Sequence, residues 1–216
     1  MKEIIEDIVQ KEYAMLDKVN NTGGRAWCQD HFDAFRLMRA SQFLVWPDQI
    51  LESYLDDLKD AEKTGRNLLF EKYAWMMMFA LPEEFEKVEH VLPVFSTDKI
   101  RRMEETVGIQ VAWAGEFAES YPFIGGQGRP IYSSQDKPND TSVETYMRGE
   151  LATYSDRTET LYHDFVLRCK AEGRNLTTEV RQNQLRFQGW DSLEQAEEHC
   201  EAHKTKTQGK GDKPRK

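Results

Sequence analysis

The chain has 216 residues, with 38 acidic against 29 basic side chains, a formal net charge of −9 and a pI near 5.2. That balance excludes a polyanion-binding surface, so nucleic acid and anionic membranes are not expected partners, and an anionic ligand has to be met by local arginines. Apolar residues at 39% suffice for a core and exclude a disordered chain.

Residues 2–18 place Ile4, Ile5, Ile8, Val9, Tyr13 and Leu16 at helical spacing, with charges between them, so an amphipathic helix is expected, stopped by the run from Asn20 to Gly24. Arg25 to Val45 is read as a second helix through Phe32, Phe35, Leu37, Met38 and Phe43, closed by Pro47, with Asp48 in the next N-cap or first turn. Gln49 to Lys63 repeats the pattern and ends at Gly65. Residues 68–80 are apolar on almost every side, which predicts a central helix whose methionines fill the core. Pro82 opens a short helix to His90. Pro93 to Ser96 is a linker, and Ser96-Thr97-Asp98 caps a helix running to Ser120. Tyr121 to Asn139 is the longest irregular stretch. Thr141 and Glu144 form a capping-box pattern ahead of a helix from Thr145 to Lys170, interrupted at Thr153-Tyr154-Ser155-Asp156. Helices at 177–188 and 191–203 complete a fold class read as all-α with about nine helices, and Lys204 to Lys216 is expected to be a disordered tail.

The chain carries an internal repeat. Gly65-Arg66-Asn67-Leu68 recurs as Gly173-Arg174-Asn175-Leu176, and Tyr54-Leu55-Asp56 answers Tyr162-His163-Asp164 at the same spacing of 108 (173 − 65). With small slips, Gly24-Arg25, Gln29-Asp30 and Met38-Arg39 fall over Gly128-Arg129, Gln135-Asp136 and Met147-Arg148, and Val9-Gln10 and Tyr13 over Ile109-Gln110 and Trp113. Two tandem units are therefore expected, 1–95 and 96–203, packed about an approximate two-fold axis as one globular domain.

Such an axis brings equivalent residues together. The loop arginines Arg25 and Arg129, with Arg39 and Arg148 on the helices that follow, are the candidates for a shared anion site, because guanidinium offers planar paired donors to carboxylate or phosphate. In the competing arrangement these arginines pair with Asp30, Asp136, Glu150 and Asp156 and only hold the loops together. Glu150, Tyr154 and Arg157 share a helix face, where a carboxylate between a phenol and a guanidinium can serve as a base or as an ion-pair partner. Cys28 stands at a helix start beside Arg25, with His31 the nearest base; a buried structural thiol is the alternative. Cys28-x-x-His31 and Cys200-x-x-His203 lack zinc-finger spacing, so no metal site is expected. No phosphate-binding G-x-x-x-x-G-K-[ST] or G-x-G-x-x-G motif occurs, and no cofactor is implied.

The acidic start from Met1 to Asp7 is unlike a signal peptide, no run approaches the ~20 apolar residues of a membrane span, and three cysteines form no disulfide framework; a cytoplasmic location is expected.

The segments Gly23 to Asp30, Gly65 to Leu69, Gly126 to Ile131, Tyr146 to Leu151 and Thr153 to Thr158 resemble motifs of the bacterial family catalogued as domain of unknown function 4125, over about residues 3 to 198. The resemblance implies a bacterial cytosolic protein with polar, loop-borne motifs. The residues it carries over are Arg25, Cys28, Gln29, Asp30, Arg39, Gln127, Arg129, Arg148, Glu150, Asp156 and Arg157; His31 departs from an acidic residue there. The leading expectation is an enzyme whose small anionic substrate is held by Arg25, Arg129 and Arg148 between the two units, with Glu150 or Asp156 transferring a proton and Cys28 contributing. A non-catalytic helical module binding a metabolite or partner protein is the competing class.

Overall fold

In a computed structural model, residues 2–20, 24–138 and 140–208 are described. The amphipathic stripe of α1 (Glu3–Leu16) buries Ile5, Ile8, Val9, Met15 and Leu16, and with them one carboxylate, Glu12. A 3₁₀ turn, Trp27–Gln29, precedes α2 (Phe32–Phe43), so the second helix begins later than the sequence suggests. Gln29 explains the delay: its amide donates to the carbonyls of Leu16 and Val19, at 2.9 Å each, and its Oε1 accepts from the Ala26 amide, stapling the loop to the end of α1. Then come α3 (Asp48–Thr64), α4 (Leu68–Ala80), α5 (Pro82–Phe85) and α6 (Thr97–Ser120), the last capped by Ser96. Within the irregular stretch lie α7 (Pro122–Gly125) and a 3₁₀ turn, Ser133–Gln135.

Helix α8 (Val143–Ala152) is capped by Ser142, whose hydroxyl accepts from the Thr145 amide; Thr141 makes no such cap and instead receives Arg129. The chain ends with α9 (Asp156–Ala171), α10 (Leu176–Phe187) and α11 (Leu193–Gln208). Among the described residues helix takes 74% and no strand occurs, as expected of an all-α protein; nine of the eleven helices there are seven residues or longer. Helix α11 carries the chain beyond the expected helix end at 203, and 209–216 of the expected tail lie outside the described residues, as do Asn21, Thr22 and Gly23 of the first stop signal.

The two Gly-Arg-Asn-Leu motifs adopt one geometry. Gly65 and Gly173 take φ of 73° and 70°, the left-handed exit that glycine allows. Asn67 caps α4 and Asn175 caps α10, while their Nδ2 atoms donate to the carbonyls of Met15 and Trp113. Arg66 clamps Glu71 and Arg174 clamps Glu179, each through two hydrogen bonds.

Packing follows a reciprocal scheme. Helix α1 packs on α2, α3 and α4, and α6 packs on α8, α9 and α10. Beyond these, α4 meets α8, α2 meets α10, and α3 meets α9. Four aromatic side chains stand where these pairs converge: Tyr54 and Tyr154 are 5.2 Å apart at their ring centres, and Trp46 and Tyr162 are 5.0 Å apart. One buried apolar cluster runs from Ile5 through Trp46, Tyr54 and Trp113 to Leu176, with a satellite of Ala74, Phe85 and Leu92.

Candidate functional site

A cleft of about 380 Å³ opens between α2 and α4 on one side and α8 and α10 on the other, a size that suits a small metabolite. The end of α2, the start of α4, the loop at 128–130 and α10 bring four cations to its wall: Arg39, Lys72, Arg129 and Arg181. Its wall also holds Gln42, Gln110, Gln184 and Tyr146, and a large apolar part including Phe35, Trp46, Leu69, Met147 and Val180. Among the described residues no carboxylate lines it. Trp27, 65% exposed, and Met38 stand at the mouth.

Behind the wall is a buried ionic set. Glu12 accepts from Arg39 Nε at 2.7 Å and Nη2 at 2.5 Å, and from the Tyr54 hydroxyl at 2.7 Å. Arg39 Nη2 also donates to Glu150 at 2.6 Å, and the second oxygen of Glu150 accepts from Lys72. All four charged side chains are at most 6% exposed. Burial pushes the Glu150 carboxyl up, but Arg39 and Lys72 outweigh it and hold it at about 2. Burial likewise opposes the charged form of Lys72, but Glu150 together with Tyr146 and Tyr73 outweighs it, so the lysine is a fixed ammonium rather than a nucleophile. Burial and the neighbouring carboxylates push the Tyr54 and Tyr154 hydroxyls well up, which keeps both as hydrogen-bond donors.

Tyr146 joins this set to the cleft. Lys72 Nζ lies 3.8 Å from the centre of its ring, the Arg129 guanidinium 5.0 Å, and Arg39 Nη1 reaches its hydroxyl at 3.5 Å. Arg129 donates to the Thr141 carbonyl and hydroxyl, and Arg181 to Gln184 Oε1 at 3.0 Å; neither meets a carboxylate among the described residues. Burial pulls the Arg181 guanidinium down, the effect of desolvating a cation that lacks a counter-ion.

The three arginines expected to converge do not. Arg25 spans Asp17 and Asp30 on the surface, at 2.7 and 3.0 Å, and Arg148 is held by Glu104 and Glu144; of the three only Arg129 lines the cleft. Arg39 lines it too, backed by its carboxylates. Cys28 lines it, whereas His31 turns away to stack on Trp27 and bond its carbonyl. Neither expected proton-transfer group reaches the cleft: Glu150 is spent on two cations behind the wall, and Asp156 is exposed at the start of α9, 3.4 Å from Lys99. Tyr154 is buried against Glu150, Gln29 is the loop staple, Asp30 pairs with Arg25, Gln127 contacts Cys200, and Arg157 lies 3.9 Å from Asp56 on the surface. Lys72, Arg181 and Glu12 are the residues sequence reasoning missed. Glu12 and Lys72 left a signal, since each is a charge within an otherwise apolar helix face.

Further local bonds recur at a fixed spacing along the chain. Val45 donates to the Gln42 carbonyl as Thr153 does to that of Glu150, and Trp46 to Phe43 as Tyr154 to Leu151; these like helix ends are 108 residues apart (153 − 45), a spacing that aligns Arg39 with Met147 in the sequence. By the Asn67–Met15 and Asn175–Trp113 bonds, and by Tyr54–Glu12 beside Tyr162–Gln110, Glu12 stands opposite Gln110. The four charged residues Glu12, Arg39, Lys72 and Glu150 thus answer to Gln110, Met147, Val180 and Gln42, all neutral.

The family model described as protein of unknown function (DUF4125) matches residues 2–198, nearly the whole described fold. The chain belongs to this family. No curated protein and no solved structure matches it. For this DUF4125 member the matched span contains every residue of the cleft and of the ionic set behind it. Among the described residues no helix is long and apolar enough to cross a membrane, and no three His, Cys, Asp or Glu side chains are grouped to hold a metal ion.

Proposed function

We propose that the cleft binds a small molecule with an anionic head and an apolar or aromatic body. One observation carries this: four cationic side chains line a single cleft from which carboxylates are absent, and two of them lack any acidic partner among the described residues. Arg181 is desolvated without a counter-ion, which costs free energy in the empty protein and which a bound anion removes; Arg129 is exposed and reaches toward the same anion. Arg129 and Arg181 take the head, Tyr146 orients Arg129, and Phe35, Trp46 and Met147 receive the body.

The site is read as formed between two tandem units, 1–95 and 96–203, in one globular domain, the product of a duplication. The matched Gly-Arg-Asn-Leu geometry and the reciprocal packing of α4 on α8 and α2 on α10 support this. The net charge of −9 supports a metabolite over nucleic acid, and three free thiols support a cytoplasmic location.

Binding is better supported than catalysis through Glu150 or Asp156, since neither faces the cleft. A second reading, that the ligand is also turned over, rests on Tyr146, whose hydroxyl and ring touch three cations at the wall. A thermal-shift panel of aromatic carboxylates and phosphates on wild type and Arg129→Ala tests the proposal: a ligand at 100 times its Kd contributes ~2.7 kcal/mol, a shift of several degrees. No stabilisation by any anion at millimolar concentration, or equal stabilisation of Arg129→Ala, would sink it. Kinetic assay of Tyr146→Phe on any binder found separates turnover from binding.

A further inference from the structure

The cations of the cleft fall into two classes. Arg39 and Lys72 are matched two for two by Glu12 and Glu150, in a closed set with no net charge. Arg129 and Arg181 have no such match. Arg129 uses Nη1 on Thr141, and Arg181 uses Nη1 on Gln184, so that among the described residues the Nε and Nη2 donors of both remain for a ligand.

Both arginines line the cleft, and the loop that carries Arg129 runs past the head of Arg181. A Cβ built on Gly128, the residue before Arg129, would stand 2.9 Å from Arg181 Nη2, so the glycine is what lets the second guanidinium lie against the loop that carries the first. This end of the cleft wall therefore carries two positive charges that meet no carboxylate among the described residues. A monocarboxylate would leave one of them unanswered. A dicarboxylate spreads its charges over two groups, whereas two cations on one wall of a small cleft can be met together by a single group that carries both charges. A phosphate monoester fits: near neutral pH it carries about −1.5 to −2 and three terminal oxygens, which paired arginine donors match. Beyond this end the wall is apolar, and this sets what the ester carries.

Resting on the anion-binding reading above, we propose that the Arg129–Arg181 end of the cleft takes the dianionic phosphoryl group of a phosphate monoester whose alcohol or phenol part lies along the apolar wall.

Calorimetric titration at pH 7.5 with phenyl phosphate, its methyl diester, benzoate and inorganic phosphate tests this. Phenyl phosphate is expected to bind at least about tenfold more tightly than each of the other three, the factor that one charge-assisted contact supplies. Arg181→Gln and Gly128→Ala should each weaken phenyl phosphate about tenfold and leave benzoate within about threefold, with melting curves confirming that both variants fold. Gly128 does not adopt a left-handed φ, so its alanine variant reports on Arg181 and not on backbone strain.

Should the diester or benzoate bind wild type as tightly as phenyl phosphate, the dianion assignment fails while the anion site stands. If inorganic phosphate binds as tightly, the ester part of the assignment fails. Should folded wild type bind none of the four, both proposals fall. The comparison among probes on wild type alone decides the matter even if a variant does not fold.

Discussion

Arg39 Nη2 stands 2.6 Å from Glu150 Oε1 although 111 residues separate them, and both side chains are buried. This contact ties α2 to α8 and belongs to a set in which no member has a spare counter-ion.

Breaking that set should be costly. Glu150→Gln leaves Arg39 and Lys72 facing a neutral amide, and a loss of about 3–5 kcal/mol is expected in urea unfolding. The pH dependence has a definite sign. Glu150 is held at about 2 in the fold against an ordinary 4.5, so its stabilisation is present above about 4.5 and is lost as the pH falls from there to about 2. The wild type should lose stability through that window faster than Glu150→Gln. Parallel curves for the two proteins would contradict the assignment.

The neutral residues opposite the charged ones suggest a compensating pair. Glu12→Gln and Arg39→Met copy Gln110 and Met147. Either alone strands a buried charge and should cost about 3–5 kcal/mol, while the double variant, which removes a cation and an anion together, should cost clearly less than the sum. A double-mutant cycle by denaturant unfolding measures the coupling; additive losses would show that the two residues do not act as a pair.

Gly149 lies where α8 packs tightly on α4. A Cβ there would meet the Lys72 carbonyl and Met76 Cγ, both at 2.8 Å, and backbone on one side cannot yield. Gly149→Ala should therefore destabilise by about 1–3 kcal/mol despite its better helix propensity. A melting temperature unchanged or raised would refute the close contact.

Much of the fold was legible because helix signals are local. The left-handed glycines at 65 and 173 and the capping asparagines at 67 and 175 are visible as residue types at fixed spacing. The site was only partly legible. Arg39, Arg129 and Cys28 do line the cleft, but Arg25 and Arg148, chosen by chemistry alike, are consumed by Asp17, Asp30, Glu104 and Glu144. Nothing local says which carboxylate a guanidinium will meet once distant helices pack. Arg181 sat in an ordinary amphipathic helix, and its importance lies in the partner it lacks.

The two asparagine caps offer a matched pair. Asn67→Ala removes one cap bond and one bond to the end of α1, and Asn175→Ala removes one cap bond and two bonds to α6, one of them to the exposed Glu116, so each should cost about 1 kcal/mol or somewhat more. Helicity and unfolding free energy read this directly; a loss at one site alone would mean the two turns are not mechanically equivalent.

Tyr146 allows ring and hydroxyl to be separated. Tyr146→Phe keeps the surface under Lys72 and Arg129 and should retain ligand-induced stabilisation, whereas Tyr146→Leu removes it and should weaken anion affinity by about 0.5–2 kcal/mol. Equal behaviour of the two variants would remove the ring from the account.

The closed tally of two acids and two bases behind the cleft also constrains descent. A lone exchange at Glu12, Arg39, Lys72 or Glu150 strands a charge in the interior, so lineages that lose one should have lost or altered another. Across the family these four positions should co-vary as a block, whereas Arg129 and Arg181, whose counter-charge would come from outside the chain, should follow the molecule they recognise.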